Sequence, residues 1–257
     1  MIKKFSFVML FACATLFAAD ATAQVKPAPK KAPVRSTAKP AAKPTVKKAA
    51  PVSAIKAKPI VKDNSIKVKI TTDSGAIVVK LSDSTPLHRD NFIKLVKEGF
   101  YDSLMFHRVI AGFMIQGGDP QSKYAPSGIM LGSGGGDMAR IPAEFKSSLI
   151  HKKGALAAAR DGNPEKASSA CQFYIVDGKA LTDAELDMME ARQGRKYTPQ
   201  QRLLYKTIGG TAMLDTQYTV FGEVISGMEV IGKIANVAKD RADRPLGDVR
   251  MKMEVMK

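Results

Sequence analysis

The chain has 257 residues, with 40 Lys or Arg against 24 Asp or Glu, a net charge of +16 and a pI near 9.8. Apolar residues make up 45% of the chain, which is enough for a folded core, and two cysteines exclude a disulfide-rich scaffold. The three histidines show no spacing typical of a metal site, so no metal is expected. Whether the charge favours nucleic acid or an anionic surface depends on where it lies.

Residues 1–23 have the pattern of a secretory signal. Two lysines precede an apolar run over residues 5–19, and small residues follow that fit a signal peptidase. The run is about 15 residues long, shorter than the roughly 20 that span a bilayer as a helix. We therefore predict export, to the periplasm, with cleavage after Ala23. The alternatives are an uncleaved anchor and a lipoprotein acylated at Cys13.

Residues 24–64 form a Lys-, Pro- and Ala-rich linker. They hold seven of the fourteen prolines and a net charge of +10, which leaves +1 for the signal and +5 for residues 65–257. Such a segment is predicted to be disordered and extended, because it buries too little apolar surface to offset the cost of ordering. We expect a spacer, with weak contact to anionic envelope surfaces as the alternative. A domain of only +5 behind a signal argues against a specific nucleic-acid partner.

Residues 65–257 are predicted to form one folded domain with many short strands. Alternating residues at 66–70 and 76–81 predict a hairpin, and Thr85 predicts the N-cap of a helix that ends at Gly99. Six further apolar or alternating runs predict strands at residues 105–110, 113–116, 155–159, 172–176, 219–224 and 251–255. Short strands with one or two helices are typical of a closed barrel or a sandwich.

Three segments stand apart from the strand pattern. Residues 177–210 are charged and helical in period, and capping boxes at Thr182 and Thr198 predict an inserted helical hairpin, either inert or used in partner binding. The glycine-rich stretch 132–137 lacks the Lys and Ser/Thr of a phosphate loop and is predicted to be a flexible loop. Cys171 lies in an apolar run and is predicted to be a small buried residue rather than a nucleophile.

The sequence FHRVIAGFMIQGGD at residues 106–119 resembles the signature of cyclophilin-type peptidyl-prolyl cis-trans isomerases. Three further segments resemble that family in the same order: GALAAA at 154–159, CQFYI at 171–175 and LDTQYTVFG at 214–222. The resemblance covers residues 65–257 apart from the helical insert. It implies a mainly β fold, a closed eight-stranded antiparallel barrel capped by two helices, with the helical hairpin as an insertion.

The same resemblance implies the site. Arg108 and Gln116 are the implied catalytic residues, and the implied substrate-binding residues are Phe113, Met114, Ala159, Tyr174, Met213, Leu214 and Tyr218. The apolar members would hold the substrate proline ring. Two neighbouring residues of a regular strand point to opposite faces, so Phe113 and Met114 require a kink or turn after Gly112.

The chain departs from the family pattern at two of these positions. Met213 stands where many members have Trp, and Tyr218 stands where many have His. Methionine lacks the indole N–H donor, so cyclosporin-like ligands are expected to bind weakly. Tyr174 stands at a position that is usually Phe, and its added hydroxyl needs water or a partner.

The implied activity is isomerisation of X–Pro bonds in exported or unfolded protein clients. It makes and breaks no bond, so no cofactor is expected. The alternative is a cyclophilin-like module that binds proline-containing segments without turnover. Arg108 favours the enzyme, because a module that only binds has no need of a guanidinium at the prolyl nitrogen.

Overall fold

The computed structural model describes residues 65–256; the predicted signal at 1–23 and the linker at 24–64 lie outside the described residues. Within this range the chain forms eight strands, four α-helices and two short 3₁₀ helices. None of the helices in residues 65–256 is both long and apolar enough to span a membrane.

The strands form one antiparallel sheet, and they follow the predicted runs closely. They are β1 (Lys67–Thr72), β2 (Gly75–Leu81), β3 (Phe106–Ile110), β4 (Met114–Gly117), β5 (Ala155–Ala158), β6 (Phe173–Val176), β7 (Val220–Ser226) and β8 (Met251–Val255). Their order across the sheet is β3-β4-β6-β5-β7-β2-β1-β8. The predicted hairpin of β1 and β2 is confirmed, with Ile70 opposite Ile77.

The two ends of this order, β3 and β8, meet only at the start of each strand and in the residues just before it. Met105 and Arg250 form an isolated antiparallel bridge, and the Met251 N–H donates to the Leu104 carbonyl at 2.8 Å. Residues 65–256 contain no ladder of paired strands between β3 and β8. The eight-stranded antiparallel sheet is therefore confirmed, whereas the closed barrel implied by the resemblance is not.

Two helices pack on the sheet and two form the insert. The helices are α1 (Pro86–Lys97), α2 (Asp183–Gln193), α3 (Pro199–Thr207) and α4 (Met228–Ala235), and the 3₁₀ helices are Pro120–Tyr124 and Ala212–Leu214. The apolar faces of α1 and α4 join the main core, as the two implied capping helices should. Both helices of the predicted hairpin are present, and so are both capping boxes, at Thr182 with Glu185 and at Thr198 with Gln201.

The first turn of α1 is capped by a distant side chain. Thr85 occupies the N-cap position, as predicted, although its hydroxyl makes no capping hydrogen bond. The carboxylate of Glu144 accepts instead from the backbone N–H groups of Leu87 and His88, at 3.3 and 3.0 Å. A residue more than fifty positions away leaves no local pattern, so the sequence did not indicate Glu144.

The glycine-rich loop is anchored rather than free. The buried carboxylate of Asp119 accepts hydrogen bonds from the backbone N–H groups of Gly132 and Gly134. The side-chain amide of Gln172 donates to the carbonyls of the same two glycines, at 3.0 and 2.9 Å. The expected flexible loop is thus tied to the sheet on both sides. Cys171 beneath it is buried, as predicted, and burial raises the pKa of its thiol.

The sheet carries apolar clusters on both faces. Alternate residues such as Ile115 and Ile175 enter the main core beneath α1 and α4. The opposite face of β4, β5, β6 and β7 carries a second cluster made of Met114, Ala155, Ala157, Ala159, Tyr174, Val176 and Val220. This second face holds the residues that the sequence singled out.

Candidate active site

Strand pairing places three of the implied site residues in one row. Arg108 of β3 lies opposite Gln116 of β4, and Gln116 lies opposite Tyr174 of β6. Side chains of residues directly opposite each other share a face of the sheet. The guanidinium, the amide and the phenol therefore stand side by side on the second face.

A bulge in β3 directs Arg108 to this face. Phe106 and Arg108 are two residues apart, so a regular strand would point both the same way. The register against β4 shifts between them, which makes His107 the extra residue of a β-bulge. Phe106 consequently packs in the main core, while Arg108 is exposed at the second cluster.

The turn between β3 and β4 explains how two adjacent residues, Phe113 and Met114, can face the same cavity. β3 ends at Ile110, Gly112 adopts φ +71°, and the Phe113 N–H donates to the Ile110 carbonyl at 3.0 Å. Phe113 therefore lies in the turn and Met114 is the first residue of β4. The turn expected after Gly112 is confirmed, and it lets both side chains reach one cavity.

These residues enclose a cavity of about 190 Å³. Its walls are Arg108, Phe113, Met114, Gln116, Ala159, Arg160, Tyr174, Leu214 and Tyr218. Eight of the nine implied site residues thus meet at one place. The exception is Met213, which is 55% exposed on the second 3₁₀ helix and is not part of the cavity wall.

Arg160 is the wall residue that the sequence did not indicate. Its guanidinium lies over the ring of Tyr218, 4.7 Å from the ring centroid, and its Nε donates to the Gln217 carbonyl at 2.9 Å. The family pattern gave no reason to expect this stacking, because many members have His where this chain has Tyr218. The one feature of the sequence that could have indicated Arg160 is that it directly follows Ala159, a predicted site residue.

Gln116 is held in a defined orientation. Its Nε2 donates to the Gln172 Oε1 at 3.1 Å, and the Gln172 amide is fixed in turn by the glycine-rich loop. A neighbouring cavity of about 350 Å³ under that loop shares Gln116, Ala159 and Arg160 with the first. The backbone N–H of Ala159 donates to the Gln172 carbonyl at 2.9 Å, and the Ala159 carbonyl accepts from the Ser169 N–H at 2.9 Å.

The hydroxyl of Tyr174 finds its partner beneath the cavity. It lies 3.0 Å from the Nε2 of His151, and the two rings are nearly parallel with centroids 6.1 Å apart. Burial raises the pKa of Tyr174 well above its ordinary value, so the hydroxyl keeps its proton. The ring also packs edge-to-face against Tyr218, with centroids 5.9 Å apart.

Residues 65–256 contain no cluster of three or more His, Cys, Asp or Glu side chains arranged to hold a metal ion. The cavity itself contains no histidine, cysteine or carboxylate in its wall. What it offers is an apolar recess beside two guanidinium groups and an amide. This set of groups can bind a small apolar ring and donate hydrogen bonds to its neighbouring atoms.

Comparison with known proteins identifies the family. The family model for "Cyclophilin type peptidyl-prolyl cis-trans isomerase/CLD" matches residues 67–255. The chain therefore belongs to the cyclophilin-type peptidyl-prolyl cis-trans isomerases, and its activity is the isomerisation of peptidyl-prolyl bonds.

Relatives and solved structures agree with this assignment. A provisionally named peptidyl-prolyl cis-trans isomerase of Staphylococcus haemolyticus is 34% identical over 192 residues, covering 74% of this chain and 90% of the relative. One of Staphylococcus epidermidis is 36% identical over 191 residues, with the same coverage. A Cryptosporidium parvum cyclophilin-type isomerase shares the fold, with a TM-score of 0.54, 22% identity, and coverage of 75% of this chain and 98% of that one.

Proposed function

We propose that this protein isomerises X–Pro bonds in exported or unfolded protein clients, and that the 190 Å³ cavity is where the reaction occurs. The observation that carries the proposal is the position of Arg108, a guanidinium on the same cavity wall as the apolar side chains of Phe113, Met114 and Leu214. A second Cryptosporidium parvum structure was determined in the presence of the dipeptide Ala-Pro. We extend that ligand chemistry to the cavity of this chain.

The reaction requires stabilisation of a twisted amide. Resonance gives the X–Pro bond partial double-bond character and a rotation barrier of roughly 18–20 kcal/mol. As the amide twists, the prolyl nitrogen becomes pyramidal and its lone pair localises. A hydrogen bond from Arg108 to that nitrogen is strong only in the twisted state, and an interaction of this kind lowers the barrier.

The remaining walls hold the substrate while it rotates. Met114 and Tyr174 are buried and Phe113 and Leu214 are half-buried, so together they can grip a proline ring. The low polarity of this recess strengthens a charged hydrogen bond at its edge. Gln116, which is fixed by Gln172, would then position the peptide beside Arg108.

The test is the exchange rate of an Ala-Pro peptide with the full chain. A charge-assisted hydrogen bond is worth roughly 1.5–3 kcal/mol, so Arg108→Ala should lower kcat/KM by about 10- to 150-fold. Arg108→Lys should recover only part of this loss, because an ammonium lacks the planar fork of a guanidinium.

Arg160→Ala is the matched control, because it removes the other guanidinium of the same wall while leaving Arg108 in place. We expect it to lose less activity than Arg108→Ala. Normal turnover by a folded Arg108→Ala protein would contradict the mechanism and favour a module that binds proline-containing segments without turnover.

Export to the periplasm is the second part of the proposal. It is supported by the signal-like pattern of residues 1–23, and clients there would be proteins that fold after translocation. Uncatalysed X–Pro exchange takes tens to hundreds of seconds, slow enough to limit folding. A periplasmic isomerase would relieve that delay.

A further inference from the structure

The helical insert packs against the rest of the domain through its own small core. Its start and return lie side by side, because the Gly210 N–H donates to the Lys179 carbonyl at 3.0 Å. Between them, α2 and α3 enclose Leu186, Tyr197 and Tyr205 together with Ile150 and Ala212 of the rest of the domain. This core accounts for the burial of the two tyrosine rings. It does not account for the direction of their hydroxyl groups.

Both hydroxyls donate to one buried carboxylate. The Oη of Tyr205 lies 2.6 Å and that of Tyr197 lies 2.8 Å from the same oxygen, Oδ2 of Asp215. Asp215 is fully buried at its side chain, and Arg195 of the insert is the nearest guanidinium, at 3.8 Å. Burial alone would raise its pKa, but hydrogen bonds from His151 and Tyr205 outweigh burial and hold the pKa of Asp215 below its ordinary value.

The second oxygen of the same carboxylate fixes a histidine. Oδ1 of Asp215 accepts from the backbone N–H of His151 at 2.9 Å and lies 2.7 Å from its Nδ1. A carboxylate can only accept, so Nδ1 is the donor, and in the neutral ring Nε2 is then the acceptor. The group that faces Nε2, at 3.0 Å, is the hydroxyl of Tyr174 in the cavity wall.

An unbroken chain of buried hydrogen bonds thus runs from the insert to the cavity: Tyr197 and Tyr205, Asp215, His151, Tyr174. We infer that Tyr197 and Tyr205 are positioning residues, through which the helical insert sets the Tyr174 wall of the proline cavity. The inference rests on the proposed role of that cavity. It assigns a purpose to the insert, which the sequence left open between an inert elaboration and a partner-binding element.

The physical effect is a fixed orientation of a ring that contacts the substrate. Without the two donors, Oδ2 of Asp215 would be buried with fewer hydrogen bonds, and the carboxylate would turn to satisfy it. Rotation of Asp215 would release Nδ1 of His151 and hence the hydroxyl of Tyr174. Displacements of about 1 Å at a reacting geometry cost up to about a hundredfold in rate.

The experiment compares variants that remove a tyrosine hydroxyl from the insert with a control variant that removes ion pairs of the insert instead. Tyr205→Phe should lower kcat/KM for an Ala-Pro peptide about five- to tenfold, and Tyr197→Phe less, since its hydrogen bond is longer. The control is Arg202→Gln, which removes the ion pairs of α3 with Asp183, Asp187 and Glu190. Arg202 makes none of the hydrogen bonds that link Tyr197 and Tyr205 to Tyr174. This variant should lower Tm while kcat/KM stays within twofold.

Two readouts separate positioning from stability. In a Tyr174→Phe background, where the last link is absent, Tyr205→Phe should change kcat/KM less than twofold. The ¹⁵N shifts of the His151 ring should report a protonated Nδ1 in the unaltered protein and should move in Tyr205→Phe and Tyr197→Phe but not in Arg202→Gln.

An equal effect of Tyr205→Phe in both backgrounds, or an equal loss of activity in Arg202→Gln, would overturn the inference. Should Tyr205→Phe fail to fold, Tyr197→Phe can be compared in the same two backgrounds and with the same control. Failure of the proposed function is distinguishable, because it would appear as an absence of turnover in the unaltered protein or as normal turnover in Arg108→Ala.

Discussion

His107 is the residue that turns Arg108 toward the cavity, and its ring is buried without a hydrogen-bond partner. Neither ring nitrogen has one among residues 65–256, and only 3% of the residue is exposed. Burial is the main reason that the pKa of His107 falls from 6.5 to about 4, although Asp119 opposes the shift. The ring is therefore neutral in the folded protein at neutral pH.

This burial predicts a specific loss of stability in acid. Below pH 6.5 the unfolded chain binds a proton at His107 while the folded protein does not, until the pH reaches about 4. The free energy of unfolding should therefore fall across this window, by up to about 3 kcal/mol. Urea unfolding of the unaltered protein and of His107→Phe at pH 7, 5 and 4 measures the difference. Identical pH dependence in both proteins would contradict it.

Site residues that belong to a sequence motif could be predicted. Site residues that reach the cavity only through contacts between distant segments could not. Arg108, Phe113 and Gln116 belong to one continuous signature, and they meet as expected. Arg160 lies in the wall because its guanidinium stacks on Tyr218, a contact between residues 58 positions apart. Met213 aligns with a family position but is largely exposed here, because alignment gives a position and not an orientation.

At the scale of elements, the strands were predictable because alternation and short apolar runs are local signals. The prediction for residues 251–255 coincides with β8, and that for residues 76–81 differs from β2 by one residue. α4 was not predicted as a helix, because Gly232 interrupts its short apolar run. Closure of the sheet depends on segments almost 150 residues apart, which no local pattern encodes.

The packing at the base of the insert predicts that alanine at two glycine positions will lower stability by different amounts. Gly178 and Gly194 both adopt left-handed backbone, with φ of +51° and +63°. A methyl group on Gly178 would lie 2.6 Å from the Cα of Gly210, whereas one on Gly194 would meet nothing within 4 Å. Both alanine variants carry a left-handed cost of about 1–2 kcal/mol, and Gly178→Ala adds about 1–3 kcal/mol of overpacking.

Thermal unfolding measures this difference. With about 2–4 °C per kcal/mol for a domain of this size, the Tm of Gly178→Ala should fall clearly further than that of Gly194→Ala. Equal Tm values would show that the two ends of the insert do not pack as closely as the structure has them.

At the scale of the whole molecule, the signal-like residues 1–23 predict the size of the exported protein. Small residues before Gln24 fit a signal peptidase, and the apolar run is too short to span a bilayer as a helix. The intact mass of protein exported by a Gram-negative host should correspond to a chain that begins at Gln24. A mass that retains residues 1–23 would favour an anchor, and an added lipid mass on Cys13 would favour a lipoprotein.

The distribution of charge sets the linker apart from the domain that holds the proposed catalytic cavity. Residues 24–64 carry +10 and the domain carries +5, while the proposed catalytic cavity is formed entirely by described residues of the domain. Attraction to an anionic membrane surface is about 1 kcal/mol for each nearby Lys or Arg and is screened by salt. Any association with an anionic surface should therefore depend on the linker, and the linker should not affect the chemistry at Arg108.

Deleting residues 24–64 should accordingly leave kcat/KM for a short Ala-Pro peptide within twofold, because no wall of the cavity is removed. The same deletion should weaken any binding to vesicles that contain phosphatidylglycerol, and so should 0.5 M salt. A variant with the linker lysines replaced by glutamine keeps the length and removes the charge, so it should behave as the deletion does. A large loss of peptide turnover in either variant would place the linker in the active site and contradict the separation. Vesicle binding that survives both changes would instead locate the membrane contact on the domain.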